Sequence, residues 1–350
     1  MCNIAGYVGT KPAAPILIDM LRREEGFGGG YYTGIATIHE GKLHYAKLTG
    51  DVQRLVDLTE AASLPGTVGI IHGRSNSGGG DEWAHPFIGM RDGVPVQAYA
   101  GNGITGCFGA RTEQASALAD SFRREGHQLA LRYDLQSDLY PTLSDGGVAH
   151  VSDLMCQLIL RNISGGADTV TAMTEAFCEM PAEVTGLLLS LSAPECITWS
   201  RISQPMFVSY ASHGAYMGTT SIAFPDDAGE AQLVPACSAG QVFWDHMRTV
   251  PFPTPPGKVA RMDAEVRRKG YDLICERLRG GAMNLLELLE GINFPFEAAD
   301  CAPEGALAYD ILQGLHARGM LGLEQRRVPG AREDLDAPQL WLSINPSRLV

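Results

Sequence analysis

The second residue of the chain combines two groups that can do chemistry together. Met1 precedes Cys2, and removal of Met1 would leave Cys2 as the N-terminus, with a thiol and a free α-amino group on one residue. An α-amine has a reference pKa of about 7.7–8.0 and a thiol about 8.5, so the amine can act as a base near neutral pH. The position therefore suggests an N-terminal nucleophile. A plain strand residue after the initiator is the alternative, and a retained Met1 would leave the thiol without this base.

Further polar residues stand at the ends of apolar runs later in the chain. Arg74 follows such a run, His85 follows a glycine-rich stretch, Asn102 and Gly103 end another run, and Asp145 precedes a helical pattern. Each has an ordinary structural interpretation, because Asn-Gly is most often a turn, a strand-terminal Arg is usually a surface charge, and such an Asp usually caps a helix. Only their order after Cys2 suggests a site.

The elements that must position these residues are short strands mixed with helices. The pattern predicts strands at 4–8, 35–39, 42–48, 68–72, 94–99, 186–192, 196–200, 206–210 and 215–218, and helical segments at 14–23, 52–60, 112–126 and 148–162. Strands and helices do not alternate regularly. We therefore expect an α+β fold with two antiparallel sheets and helices outside them, rather than a doubly wound parallel sheet.

The character of the sequence changes near residue 245. Pro251–Gly257 contains four prolines and predicts a stiff linker without a helix or a central strand. Helical patterns then cover 258–279, 282–291 and 305–319, followed by two strands at 321–328 and 339–344. This order is typical of a winged helix. The predicted organisation is a domain at 1–245, a linker at 246–257 and a small winged-helix-like, partner-binding domain at 258–350.

Composition limits the possible partners and chemistry. The net charge of −13 argues against nucleic acid as the main partner, because that affinity comes from Lys and Arg. The chain contains no apolar run of about 20 residues, so we expect a cytoplasmic protein without a membrane partner. The eight cysteines form no C-x-x-C pair, and we expect neither a metal nor a cofactor. Apart from Cys2, the cysteines are interpreted as small core residues.

The ordered motifs resemble the class II glutamine amidotransferases, which are N-terminal-nucleophile enzymes, and most closely the glutaminase domain of glucosamine-6-phosphate synthase. The resemblance covers roughly residues 2–245. Segments similar to the family's motifs are Met1–Gly9 (Cys-Gly-Ile-x-Gly), Gly30–Ala36 (Arg-Gly-x-Asp-Ser-x-Gly), His72–Ser77 (His-Thr-Arg-Trp-Ala-Thr), Ala84–Pro86 (Ala-His-Pro), Asn102–Gly103 (Asn-Gly) and Ser144–Asp145 (an Asp at a helix start).

The resemblance implies a four-layer αββα sandwich and a role for each matching residue. The Cys2 thiolate would attack the carboxamide of glutamine, and Asn102 and Gly103 would form the oxyanion hole. Arg74 would bind the substrate α-carboxylate and Asp145 the α-ammonium. Two further residues, His85 and Ser75, are assigned beside the substrate, although His85 can equally be structural. His72 is interpreted as structural.

Several departures limit what the resemblance implies. Asn3 stands where glycine is usual, Gly30–Ala36 lacks the motif's Arg, Asp and Ser, and Ser75 replaces a Trp. Residues 246–350 are too few for a sugar isomerase. We therefore expect ammonia to pass to a separate protein that carries the acceptor site. A homo-oligomer is left open.

Two alternatives to a glutaminase remain at this point. One is an N-terminal-nucleophile hydrolase of another linear amide. The other is an amino-acid sensor whose winged-helix-like module reaches DNA or a partner protein.

Overall fold

The computed structural model describes residues 2–103, 112–135, 140–181 and 183–345; Met1 and Cys107 lie outside them. The helices are α1 (Ala13–Glu24), α2 (Val52–Leu58), α3 (Thr112–Arg124), α4 (Val151–Ser164), α5 (Thr169–Glu179), α6 (Ala264–Arg279), α7 (Leu285–Leu289) and α8 (Glu304–Ala317). The strands are β1 (Asn3–Gly9), β2 (Tyr32–His39), β3 (Lys42–Thr49), β4 (Val68–Arg74), β5 (Phe87–Arg91), β6 (Val94–Gly103), β7 (Leu131–Arg132), β8 (Val148–Ala149), β9 (Glu183–Ser190), β10 (Ile197–Arg201), β11 (Phe207–Ala211), β12 (Gly214–Gly218), β13 (Gln232–Leu233), β14 (Ser238–Val242), β15 (Met247–Pro251), β16 (Met283–Asn284), β17 (Leu321–Pro329) and β18 (Asp336–Ile344).

Two antiparallel sheets pack face to face and helices cover their outer faces. The first sheet has the order β13-β11-β12-β1-β4-β2-β3, and the second has the order β15-β14-β10-β9-β6-β5. Helix α1 packs on the first sheet, and α4 and α5 pack on the second. Apolar side chains such as Ile4, Ile70 and Leu187 fill the space between the sheets. The predicted α+β class and the order of layers, helix-sheet-sheet-helix, are therefore present in the described part of the chain.

The C-terminal region forms a compact unit that packs against the two-sheet sandwich. A three-stranded sheet in the order β16-β18-β17 supports helices α6, α7 and α8. Its buried residues Leu312 and Leu340 belong to the same apolar cluster as Leu17 and Leu21 of α1. The Leu340 amide also donates to the Gly26 carbonyl at 2.9 Å. This unit therefore lies on the segment that follows α1.

The structure corrects two predicted boundaries. Met247–Pro251 is not linker but the edge strand β15, which pairs with β14; proline is tolerated there because an edge strand need not donate every N–H. Helix α4 begins at Val151, where His150 is the N-cap, so Asp145 does not cap it. Within the described residues, no helix combines the length and the apolar character needed to cross a bilayer.

Candidate active site

Strand β1 places Cys2 at one end of the sandwich, beside the end of β4. Asn3 pairs with Gly73 across the two strands, so Cys2 lies next to the segment that follows β4. Its Sγ atom is 3.7 Å from Ser75 Oγ. Because side chains alternate along a strand, Cys2 shares the face of Ile4, which packs between the sheets. The thiol is partly exposed.

Arg74 is a buried cation that holds the loop after β4. It donates from Nη1 to the Gly78 carbonyl at 2.7 Å and from Nη2 to the Ser77 carbonyl at 3.3 Å. Nη2 also donates to the Tyr140 hydroxyl at 3.1 Å, and the guanidinium lies 4.7 Å from the Tyr32 ring centre. No carboxylate pairs with Arg74 among the described residues. A substrate carboxylate would have to replace some of these carbonyl contacts.

Three buried histidines lie behind Arg74. The His72 and His85 rings stack with centres 4.0 Å apart, and the His150 ring meets His85 edge-on at 5.2 Å. Burial, together with the positive charge of Arg74, lowers the pKa of His72 to about 3. Burial also holds the pKa values of His85 and His150 well below the usual range. All three rings are neutral near pH 7, and His85 is enclosed by aromatic rings.

Asn102 and Gly103 end strand β6 on the facing sheet, and the pairing with β9 is irregular between them. The ring of His72 in β4 lies beside the Gly101 backbone, so the ends of β4 and β6 meet. The Asn102 Nδ2 atom is buried and has no hydrogen-bond partner among the described residues. An unused amide donor at this end of the sandwich is suited to an anionic oxygen that forms during a reaction.

Asp145 lies in a different surface depression, which it lines with Asp120, Arg123 and Ser144. It is exposed and forms an ion pair with Arg123, and its carboxylate accepts from the Tyr133 hydroxyl at 3.0 Å. The Gly147 N–H and then Arg123 lower the pKa of the Asp145 carboxyl. Its charge is therefore already compensated.

A cleft of about 360 Å³ opens between the sandwich and the C-terminal unit, and Ser75, the neighbour of Cys2, lies in its wall. The sandwich contributes Ser75, Asn76 and the glycine-rich segment from Gly26 to Gly29, and the C-terminal unit contributes residues that include Leu285 and Gln339. The side chains that line the cleft are all uncharged among the described residues. Ser75, the neighbour of Cys2, is thus part of a wall that faces the C-terminal unit.

Sequence reasoning missed two buried groups close to the start of β1. Glu24 ends helix α1 and Tyr309 belongs to α8; both are fully buried. Burial raises the pKa of the Glu24 carboxyl well above its usual range, and burial also raises that of Tyr309, with further contributions from Glu24 and Cys2. Glu24 could have been noticed as a charged residue on the buried face of an amphipathic helix. Tyr309 lies some 300 positions from Cys2, and the residues around it do not indicate that it would be buried near Cys2.

The chain is similar in sequence to known enzymes. The chain is 26% identical over 225 residues to glutamine–fructose-6-phosphate aminotransferase of Mesorhizobium japonicum, and 26% identical over 264 residues to the same enzyme of Agrobacterium fabrum. These matches cover 64% and 75% of this chain but 32% and 38% of the relatives, so the chain spans about a third of their length. No protein-family model matches.

Solved structures show the same fold at lower identity. Glutamine phosphoribosylpyrophosphate amidotransferase from B. subtilis has a TM-score of 0.58 at 15% identity, over 79% of this chain and 58% of that chain. The fold is thus of the type found in N-terminal-nucleophile glutamine amidotransferases. The predicted resemblance to class II glutamine amidotransferases, an enzyme class, is confirmed, and the sequence relatives are glutamine–fructose-6-phosphate aminotransferases.

Among the described residues, no group of three or more His, Cys, Asp or Glu side chains could hold a metal ion.

Proposed function

We propose that the protein hydrolyses glutamine to glutamate and ammonia through a γ-glutamyl thioester on Cys2. One observation carries the proposal. The Cys2 thiol stands at the end of β1 beside Ser75, and the end of the facing strand β6 holds the unused, buried donor of Asn102. Acyl transfer requires a nucleophile that attacks the carbonyl carbon and a hydrogen-bond donor that stabilises the oxyanion formed by the attack.

The first half-reaction starts once Met1 has been removed. The α-amine of Cys2 takes the thiol proton and the thiolate attacks the carboxamide carbon. The carbonyl oxygen becomes an oxyanion that accepts hydrogen bonds from Asn102 Nδ2 and the Gly103 N–H. The α-ammonium then returns its proton to the leaving nitrogen, the C–N bond breaks, and ammonia departs from the thioester.

The second half-reaction releases the acid. A water molecule gives a proton to the α-amine and attacks the thioester carbon, through the same oxyanion. The C–S bond breaks, glutamate leaves, and the proton returns to the thiol. The α-amine is the only base that both steps require.

Substrate selection is assigned to the residues around Arg74. Arg74 would bind the α-carboxylate, exchanging the Ser77 and Gly78 carbonyls for the substrate, and Ser75 would line the site beside the thiol. Asp145 would bind the α-ammonium only if it left its ion pair with Arg123. His85 supports this region as a neutral, buried ring.

The C-terminal unit is proposed to be a winged-helix-like module. Its support is the order of elements, in which the short strand β16 follows the first helix and pairs with the last strand, β18. A separate synthase partner is proposed to receive the ammonia. The sensor alternative remains, since this unit lies beside the proposed nucleophile.

A second candidate activity is the hydrolysis of another linear amide. The observation in its favour is the uncharged lining of the cleft that Ser75 borders, together with the occupied guanidinium of Arg74. The comparison of glutamine with a glutamine blocked at both α-groups decides between the two. Turnover of the blocked compound at an equal rate would favour the second activity.

Glutamate release from glutamine by the processed protein tests the leading proposal. We expect steady-state release that Cys2→Ala abolishes, and we expect the intact mass of the wild type to lack Met1. As a matched control, Cys301→Ala replaces another partly exposed thiol and should retain activity. Retention of Met1, or processed protein that forms neither thioester nor glutamate at millimolar glutamine, would refute the proposal.

A further inference from the structure

The start of strand β1 is surrounded by buried polar groups that their neighbours do not fully satisfy. The carboxyl oxygens of Glu24, the Nδ2 atom of Asn3 and the hydroxyl of Tyr309 all lack a hydrogen-bond partner among the described residues. Glu24 and Tyr309 come from α1 and α8, and both are fully buried. A buried polar group without a partner is destabilising, and most such groups in proteins are paired. The Asn3 side-chain amide is near enough to serve one oxygen of Glu24, which leaves the other oxygen and the Tyr309 hydroxyl for a further polar group.

The backbone geometry indicates where that group would be. The Ile4 N–H donates to Thr219 Oγ1 at 2.9 Å, and the Ile4 carbonyl accepts from the Thr219 N–H at 3.0 Å. Backbone groups of alternate residues in a strand point to the same edge, so the nitrogen of Cys2 is directed to the edge where Thr219 lies. The chain turns there into Thr220 and Ser221, which α8 contacts.

Helix α8 is fixed at that edge by Gln313. Its side-chain oxygen accepts from the Ser221 N–H at 2.9 Å. Tyr309 precedes Gln313 by four residues, so both lie on the same face of the helix. The Tyr309 ring packs edge-on against Phe27 with centres 5.6 Å apart. Burial, and after it the nearby Glu24 and Cys2, raises the pKa of its hydroxyl. Tyr309 therefore faces the beginning of β1.

Glu24 reaches the same point from α1. Its carboxyl lies beside the side chain of Asn3, which is itself fixed because its Oδ1 accepts from the Gly29 N–H at 2.9 Å. Asn3 is the neighbour of Cys2 in the chain. A chain-terminal ammonium has three N–H donors, and beside it Glu24 would ionise, so that its carboxylate and the Tyr309 oxygen can accept from the ammonium.

We propose that Glu24 and Tyr309 hold the α-amino group of processed Cys2, so that the C-terminal unit completes the nucleophile's surroundings. This inference rests on the proposed function, in which that amine is the base. Both are positioning residues: they orient the amine and stabilise its charged form after it takes the thiol proton. The site is then built from β1, α1 and α8 rather than from the sandwich alone.

The pH dependence of glutamate release tests the inference. A partner that stabilises the ammonium raises the pKa of the amine, so Glu24→Gln should move the acid limb of the kcat/KM profile to lower pH by about 1–2 units. Tyr309→Phe keeps the ring and should move it the same way by less, with kcat reduced about tenfold. Glu24→Asp should restore part of the wild-type profile. The other titratable groups that act on this pair among the described residues are Glu25 and Cys2.

A matched control and a structural measurement separate this inference from the proposed function. Tyr271→Phe removes another hydroxyl of the C-terminal unit, on α6, and should leave the profile unchanged. A crystal structure of the processed wild type should place the Cys2 α-nitrogen about 3 Å from Tyr309 Oη or the Glu24 carboxyl.

Active wild type with unshifted variants, or an α-nitrogen bonded elsewhere while water satisfies Glu24, would overturn the inference alone. A processed wild type that releases no glutamate would overturn the proposed function, and the crystal structure would still decide where the amine lies.

Discussion

Replacement of Asn102 should separate catalysis from stability. Its Nδ2 is buried and unused in the resting protein, so Asn102→Ala breaks no hydrogen bond of that donor. During the reaction the same atom would donate to the oxyanion. Loss of one such donor typically lowers kcat by about 10²–10³, which corresponds to about 2.7–4 kcal/mol. We expect this loss in kcat, with a change in KM that is small by comparison.

Gln97 provides the matched control on the same strand. It is also a buried amide, but its Nε2 donates to the Cys156 carbonyl at 2.8 Å, far along β6 from the end that holds Asn102. Gln97→Ala leaves that carbonyl without its donor, so the free energy of unfolding should fall by about 1–3 kcal/mol. Its kcat, measured where the variant is fully folded, should stay close to the wild-type value.

The assays are glutamate release at saturating glutamine and urea unfolding of the same preparations. The reasoning predicts opposite patterns: Asn102→Ala loses kcat and keeps its unfolding free energy, whereas Gln97→Ala does the reverse. If Asn102→Ala retained kcat within a few-fold, or lost as much stability as Gln97→Ala, the assignment of Asn102 to an oxyanion hole would be wrong.

Three further predictions concern the scaffold. Gly29→Ala should lower both stability and activity, because an added Cβ would overlap the carbonyl of Gly73; Gly314→Ala on helix α8, where nothing lies within 4 Å, should instead stabilise by about 0.5–1 kcal/mol in thermal unfolding. Burial raises the pKa of Glu25 to about 8, so the folded state keeps a proton on Glu25 that the unfolded chain loses above about pH 4.5. The free energy of unfolding should therefore fall, by up to about 1.4 kcal/mol per pH unit, as pH rises from about 4.5 to 8. Glu25→Gln should flatten that slope in urea unfolding, and an unchanged slope would contradict the prediction. In Arg74→Lys, the single ammonium cannot reproduce the two parallel N–H donors of the guanidinium. The KM for glutamine should rise and the free energy of unfolding should fall by about 1–3 kcal/mol. An unaltered KM would argue against Arg74 as the group that binds the substrate α-carboxylate.

Local patterns were sufficient for most of the elements. The predicted strands at 35–39 and 42–48 leave only Glu40 and Gly41 between them, and the structure places these two residues at φ values of 48° and 72°, the left-handed region that a tight hairpin turn needs. The edge strand β15 and the start of α4, predicted at residue 148 and found at Val151, were not predictable in the same way. An edge strand forms because β14 is available to pair with it, and the choice of His150 over Asp145 as a cap depends on which helix start the fold selects.

The sequence alone determined the chemistry available at Cys2 and the pattern of motifs that relates the chain to glutamine amidotransferases, because both reside in residue types and their order. The tertiary structure decided the rest. It brought the ends of β1, β4 and β6 together, buried the guanidinium of Arg74 among loop carbonyls, and directed Asp145 to Arg123. It also packed Tyr309 beside the start of the chain. Such contacts depend on where distant segments are packed, and sequence patterns within one segment carry no information about that packing.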